Sequence, residues 1–319
     1  MDYIGSNVKL NDWLFEDIKI ACPKGVFIDG CCGSGAVSRY AAQSGYDVVS
    51  NDIMAFPKAL ANGSIGLTSK HKQQLEEYIT DFNKLEGKDG FFLHSYATQA
   101  KYFSKANARR IDAVREAIDS VKDTKVRDAL LYCGLEALSR VSNTAGTHGA
   151  YLKELKERAK DQYTLRMEEQ TTGTVEAYSE DILALLRRYK KEDVLYIDPP
   201  YNTRQYPNNY HLYETFVLYD SPELKGMTKL RANWQDEGGS KFCSKKTCLN
   251  FLKDVVAATA AKHIFVSYSS DGLLTKKEIC DTFGATVKER DQRRYKADDS
   301  KKRTYSEEPL FEYLFHIRK

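Results

Sequence analysis

The sequence predicts an α/β fold, a mostly parallel sheet with a late antiparallel strand and a long helical insertion. Three observations carry this. Residues 25–52 read as strand, glycine-rich turn, helix and strand. Residues 57–172 keep helical periodicity with few strand-like runs. From residue 181 onward, strands and helices alternate again.

Taken in order, Leu10, Trp13, Leu14 and Ile18 recur at helical spacing, with Asn11 or Asp12 as cap. Gly25-Val26-Phe27-Ile28-Asp29 is a short buried strand ending at a glycine turn. Gly35 to Gln43 is an amphipathic helix and Tyr46 to Ser50 a second strand. So compact a βαβ unit implies parallel strands joined by a right-handed crossover. Further on, Ile111, Val114, Ile118 and Val121, then Leu130, Leu131, Leu135 and Leu138, keep helical spacing, and charged segments such as Lys153 to Arg166 separate them. Asp181 to Tyr189 is helical, and Val194 to Ile197 is a strand running into Asp198-Pro199-Pro200-Tyr201. A helix over Thr247 to Ala261, a strand over His263 to Ser267 and a helix over Lys276 to Phe283 follow. Phe311 to Ile317 closes the chain as a strand hairpin-paired with Ala285 to Glu289. The expected division is a core of 1–56 and 173–319 around an inserted domain of 57–172.

Of the 319 residues, 42% are hydrophobic and 29% charged, ordinary for a globular protein. No run of about 18 apolar residues occurs, which argues against a membrane span. Met1 to Gly5 lacks the basic and apolar regions of a secretion signal, so the expected compartment is the cytoplasm. Seven cysteines without a Cys-x-x-Cys read as reduced structural thiols, with zinc held through Cys243 and Cys248 as the outlying alternative. A net charge of +3 says little about nucleic acid, but its distribution says more. Eight basic residues, Arg293 and Arg294 among them, lie between Lys288 and Arg303, diluted by four acidic ones. A second cluster holds Lys225, Lys229, Arg231, Lys241, Lys245 and Lys246. Each fits either a grip on phosphates or a solvated loop.

Two clusters carry chemistry. In Asp29-Gly30-Cys31-Cys32-Gly33-Ser34-Gly35, glycines let the backbone turn sharply and approach a ligand, and the next helix offers free N–H groups. Asp52 lies 19 residues after Gly33, where an acid accepts ribose hydroxyls in nucleotide-binding sheets. A tight turn that serves packing alone is the plain alternative. Asp198-Pro199-Pro200-Tyr201 follows an apolar strand, at the carboxyl end where open sheets bind ligands. Its prolines remove two amide donors. An acidic acceptor, a free carbonyl and an aromatic face suit a planar ring bearing an amino group; a rigid loop with a helix-capping Asp is the bland reading.

Asp198-Pro199-Pro200-Tyr201 resembles the catalytic motif of amino-methyltransferases in the form common among DNA adenine methyltransferases. Gly33-Ser34-Gly35 resembles their methyl-donor loop, and Tyr3-Ile4-Gly5-Ser6 with Lys9 is similar to the N-terminal motif that closes over the donor. Donor motif first, catalytic motif 163 positions later and an insert between them is the order of the alpha group, the Dam-like and restriction-modification adenine methylases. The resemblance implies a Rossmann-like methyltransferase sheet with a helical target-recognition insertion, S-adenosylmethionine as cofactor and double-stranded DNA as substrate. It implies that a cognate restriction endonuclease acts independently, that the protein is a monomer or weak dimer associated with the nucleoid, and that no metal takes part. The family has an aromatic residue just before the donor-loop glycines, where this chain has Cys31 and Cys32.

In the mechanism so implied, Asp198 and the Pro199 carbonyl each accept one amino hydrogen of a flipped-out adenine, and Tyr201 stacks on its ring. Asp181 contacts the donor adenine or, as the plain alternative, caps a helix. Asn202, Arg204, Gln205, Tyr210 and His211 belong to a polar segment expected to line the pocket mouth and approach DNA, and Arg293 and Arg294 to grip phosphates. Rival readings keep the chemistry on cytosine N4, an RNA adenine or a glutamine amide, or make the chain a non-catalytic DNA-binding protein on a decayed fold.

Overall fold

The computed structural model describes residues 9–292 and 309–319. The elements run α1 (Asn11–Ala21), β1 (Val26–Asp29), α2 (Ala36–Gln43), β2 (Asp47–Asp52), α3 (Ala55–Ser64), α4 (Ser69–Phe82), α5 (Lys105–Asp119), α6 (Thr124–Val141) and β3 (Thr174–Ser179). They continue α7 (Ile182–Arg188), β4 (Val194–Ile197), α8 (Pro207–Leu218), β5 (Leu224–Lys225), β6 (Leu230–Arg231) and α9 (Trp234–Gly238). The chain closes with α10 (Cys248–Ala258), β7 (His263–Ser269), α11 (Lys276–Phe283), β8 (Thr286–Gln292) and β9 (Leu310–Arg318).

Alternation along the central strands builds two faces. Phe27, Val48, Tyr196 and Phe265 point toward α1 and α2, packing with Leu14, Ile18, Val37 and Ala41. Ile28, Val49, Leu195, Ile197 and Ile264 point the other way, onto Leu185, Leu186, Phe251, Val255 and Ile279 of α7, α10 and α11. Strands buried on both faces read as continuous apolar runs, which is why β1, β4 and β7 stand out in the sequence. The strand order is β3-β2-β1-β4-β7-β9-β8. The first five strands are parallel, and β9 inserts antiparallel between β7 and β8. The order reverses at β1, which pairs β2 on one side and β4 on the other, so a switch point opens at the carboxyl ends of β1 and β4.

A second body, α3 to α6 with α8, forms its own core around Phe56, Phe92, Tyr96, Leu130, Leu138, Tyr213 and Phe216. No described helix is long and apolar enough to cross a membrane. Three expectations need correction. Leu10 is the N-cap of α1 and no side chain caps it; Asn11 instead donates to Ala36 O at 3.3 Å, and Asp12 accepts from the Tyr40 hydroxyl at 2.6 Å. Asp52 ends β2 rather than following it. Strand β3, at the sheet edge beside β2, carries no apolar run and escapes the periodicity.

The helical body meets the sheet through α3, which crosses α6 so closely that a Cβ on Gly63 would lie 2.3 Å from Asp128 O. Ala gains about 1 kcal/mol of helix propensity over Gly, but overpacking against a backbone atom costs about 1–3 kcal/mol. Gly63→Ala should therefore lower the urea midpoint; an unchanged or higher midpoint would show that the two helices can separate freely.

Candidate active site

Parallel pairing of β1 with β4 sets Asp29 beside Tyr196, so the chain leaves both strands at one end of the sheet. Gly30 N donates to Tyr196 O at 2.9 Å, fixing the glycine loop against β4. The loop needs its glycines: Gly33 has φ 48° and Gly35 φ 70°, left-handed values that other residues rarely adopt. Gly35 is the N-cap of α2. Cys32 N donates to Asn51 O at 2.9 Å and Gly33 N to Asp52 Oδ2 at 3.0 Å, so β2 holds the loop from the other side.

Between the loop and the 198–201 turn lies a cleft of about 670 Å³, open to solvent and lined by Asp29, Cys31, Cys32, Gly33, Ser34, Ala36, Val37, Asp52, Ile53, Tyr196, Asp198, Pro200, Tyr206, Gly238 and Ser240. Three carboxylates face it, and no lysine, arginine or histidine is among these residues. Asp29 is 1% exposed; its Oδ2 accepts from the Ser38 hydroxyl at 2.7 Å, and burial lifts its pKa to about 7 against that hydrogen bond. Burial also raises Asp52, although the Met54 and Gly33 amides it accepts pull the other way. Both Cys31 and Cys32 are pushed well up, first by burial and then by Asp52, so they are neutral walls rather than nucleophiles. A second cavity of about 220 Å³, sharing Gly238, is lined by Met54, Pro207, His211, Glu214, Arg231, Trp234 and Gly238.

Asp29, Gly33, Ser34, Asp52, Asp198 and Pro200 meet at the cleft. Pro199 is buried and is not among the lining residues. Tyr201 packs edge-on against Tyr268, centroids 6.2 Å apart, and its carbonyl accepts from Leu273 N. Asp181 lies outside the cleft lining: it is exposed and caps α7, accepting from Leu183 N at 2.9 Å and Ala184 N at 3.3 Å. Lys9 is exposed, whereas Tyr3 to Ser6, Arg293 and Arg294 fall outside the described residues. Asn202 and Arg204 are exposed and outside the cleft lining, the Asn202 side chain accepting from Arg204 N at 2.9 Å. Tyr210 and His211 are fully buried in α8, Tyr210 stacked on Tyr213 and His211 reaching the second cavity.

Several polar residues have structural partners. Gln205 accepts from Ser240 N at 2.8 Å and donates to Ser240 O at 3.2 Å, clasping the segment that carries α9 over the cleft. Arg231, 2% exposed, makes a two-pronged ion pair with Asp220 at 2.9 and 2.6 Å, and is no surface phosphate contact. Lys288 pairs with Glu16, and Lys245 with Glu278. Tyr206, part of the polar segment expected at the pocket mouth, lies on the cleft wall, whereas sequence reasoning missed Glu214, which faces the second cavity. Glu214, pushed up to about 7 by burial despite the Ala55 and Phe56 amides, leaves no pattern beyond an acid on an apolar helix.

A family model described as D12 class N6 adenine-specific DNA methyltransferase matches residues 3–281. The Type II methyltransferase M.NlaIII of Neisseria lactamica is 32% identical across 100% of this chain and 99% of its own length. M.FokI of Planomicrobium okeanokoites is 35% identical across 100% of this chain and 53% of its own length. M.CviAII of Paramecium bursaria Chlorella virus 1 is 32% identical across 97% of each.

The clasp yields a direct test. Gln205→Ala removes both hydrogen bonds to Ser240, each worth about 1 kcal/mol, so trypsin should cut at Lys241 and Lys245 faster than in the parent chain. Equal cutting rates would show that the clasp does not hold the segment.

Proposed function

Since this chain belongs to the D12 class N6 adenine-specific DNA methyltransferases, we propose that the β1–β4 cleft holds S-adenosylmethionine beside an adenine turned out of double-stranded DNA. Methyl transfer to adenine N6 in DNA is the family's reaction and this enzyme's. One observation carries the assignment of residues: the glycine loop and Asp198 face a single cleft with three carboxylates and no basic residue among its lining. Such a wall repels phosphates and suits a nucleoside bearing a positive sulfonium, so the residues present fit this donor better than a dinucleotide.

Asp52 stands at the end of β2 where a ribose can be held, and Gly33 to Gly35 let the backbone come close. The donor supplies an electrophilic methyl carbon. The adenine amino group is a poor nucleophile because its lone pair is delocalised into the ring. Asp198 and the Pro199 carbonyl accept its two hydrogens and turn the lone pair outward. Asp198 then stabilises the positive charge that grows on nitrogen more in the transition state than before it. Tyr201, braced by Tyr268, is the stacking partner of the base, worth about 1–3 kcal/mol. Tyr206, which lines the cleft where Tyr201 does not, offers a further ring. Asn202 and Arg204, both exposed, approach DNA, Tyr210 and His211 pack inside α8 away from the cleft, and residues 57–172 serve target recognition. Relatives named as Type II methyltransferases support a restriction-modification role alongside an independent endonuclease.

Asp198→Ala should lower methylation by about 100-fold or more, the usual cost of one preorganised acceptor, while DNA binding persists. Chromatography of hydrolysed DNA after incubation with labelled donor reads the product; N6-methyladenine at the parent rate would refute the role, and label on cytosine would refute the acceptor. A pH effect also follows. Asp29 gains its charge as pH rises through about 7, so donor affinity should strengthen across that range by calorimetry and flatten in Asp29→Asn. Affinity that weakens with rising pH would contradict an anionic wall.

A further inference from the structure

The two walls of the cleft come from distant parts of the chain. One is the end of β2 with Asp52 and Ile53; the other is the 198–201 turn with the helix α8 behind it. Glu214, in the middle of α8 and 6% exposed, reaches across to the first. Ala55 N donates to its Oε1 and Oε2 at 2.9 and 3.0 Å, and Phe56 N to Oε2 at 3.1 Å. These are the first two amides of α3, whose N-cap, Met54, supplies no side-chain acceptor. One residue upstream, Met54 N donates to Asp52 Oδ1 at 3.1 Å, and Asp52 Oδ2 accepts from Gly33 N at 3.0 Å.

An unbroken path of hydrogen bonds and backbone thus runs from α8 through Glu214, the start of α3 and Asp52 to the glycine loop. Most helices are capped by a neighbour in sequence, which fixes only local structure. Here the cap lies 159 residues from Ala55, so satisfying the orphan amides also locks two segments together.

We infer that Glu214 is a positioning residue: by capping α3 from α8, it holds the Asp52–glycine-loop wall in register with the catalytic turn. This rests on the reading of the cleft as the donor site. Loss of the carboxylate lets the Asp52 wall shift while the fold persists, so the effect falls on the donor rather than on DNA. Trp234 lines the second cavity with Glu214 and lies outside this path.

The test compares the full-length protein with Glu214→Gln and Glu214→Ala. Calorimetry with S-adenosylhomocysteine gives donor-site affinity, steady-state rates give separate KM values for donor and DNA, and thermal unfolding is measured alongside. The expected result is a donor-site Kd and donor KM raised about tenfold in Glu214→Ala, a smaller rise in Glu214→Gln, which keeps one acceptor oxygen, and a nearly unchanged DNA KM. Donor affinity equal to the parent's in folded variants, or donor and DNA KM rising together in step with the thermal midpoint, would overturn the inference. Should Glu214→Ala not fold, Glu214→Gln decides by the same criteria. A parent protein that does not bind S-adenosylhomocysteine would overturn the donor-site reading and this inference with it.

Discussion

The parallel pairing of β1 with β4 is the constraint on which the molecule depends. Val26 N donates to Asp193 Oδ2 across 167 positions of sequence, and the register that follows sets Asp29 beside Tyr196. Between those strands the chain builds β2, β3 and the helical body, and then returns to this edge. Because the strand order reverses here, no crossover helix covers the end of the pair, and the loops leaving β1 and β4 are left facing one another. Asp198 and the glycines that follow β1 are therefore neighbours by topology rather than by sequence.

The glycine loop shows how little of its shape depends on side chains. Left-handed φ at Gly33 and Gly35, the Gly30 bond to Tyr196 O and the Cys32 bond to Asn51 O set the turn through backbone alone. Cys31 and Cys32, where the family has an aromatic residue, contribute neutral walls of modest size. The departure changes what a ligand would touch and leaves the path of the chain intact.

What the sequence made legible follows from this physics. Strands β1, β4 and β7 are buried on both faces and announce themselves as apolar runs; the antiparallel return of β9 against β8 is visible because the two are successive strand-like segments of the sequence. Asp198 was legible because its turn directly follows such a run. Strand β3 was not, since it lies at an edge with half its side chains in solvent. Nor were Arg231 and Gln205: a charge in a basic cluster and an amide in a polar loop look like surface residues until Asp220 and Ser240 are brought to them. Glu214 belongs to the same class, because its partners lie on an element that sequence spacing does not connect to it.

Charge is distributed so that substrate orientation follows. Carboxylates face the cleft, while exposed cations such as Lys225 and Lys246 stand elsewhere on the surface. A phosphate entering the cleft would meet Asp52 and Asp198, joined by Asp29 as pH rises through about 7, in a partly desolvated space where like charges repel strongly. A neutral base meets no such barrier. On the proposed reading, DNA presents its backbone to the outer surface and a single unpaired base to the interior, which is the arrangement that amino-group chemistry on a nucleobase requires. On the same proposed reading, the acidity that excludes phosphate also suits a cationic methyl donor, so one set of carboxylates discriminates on both sides of the reaction.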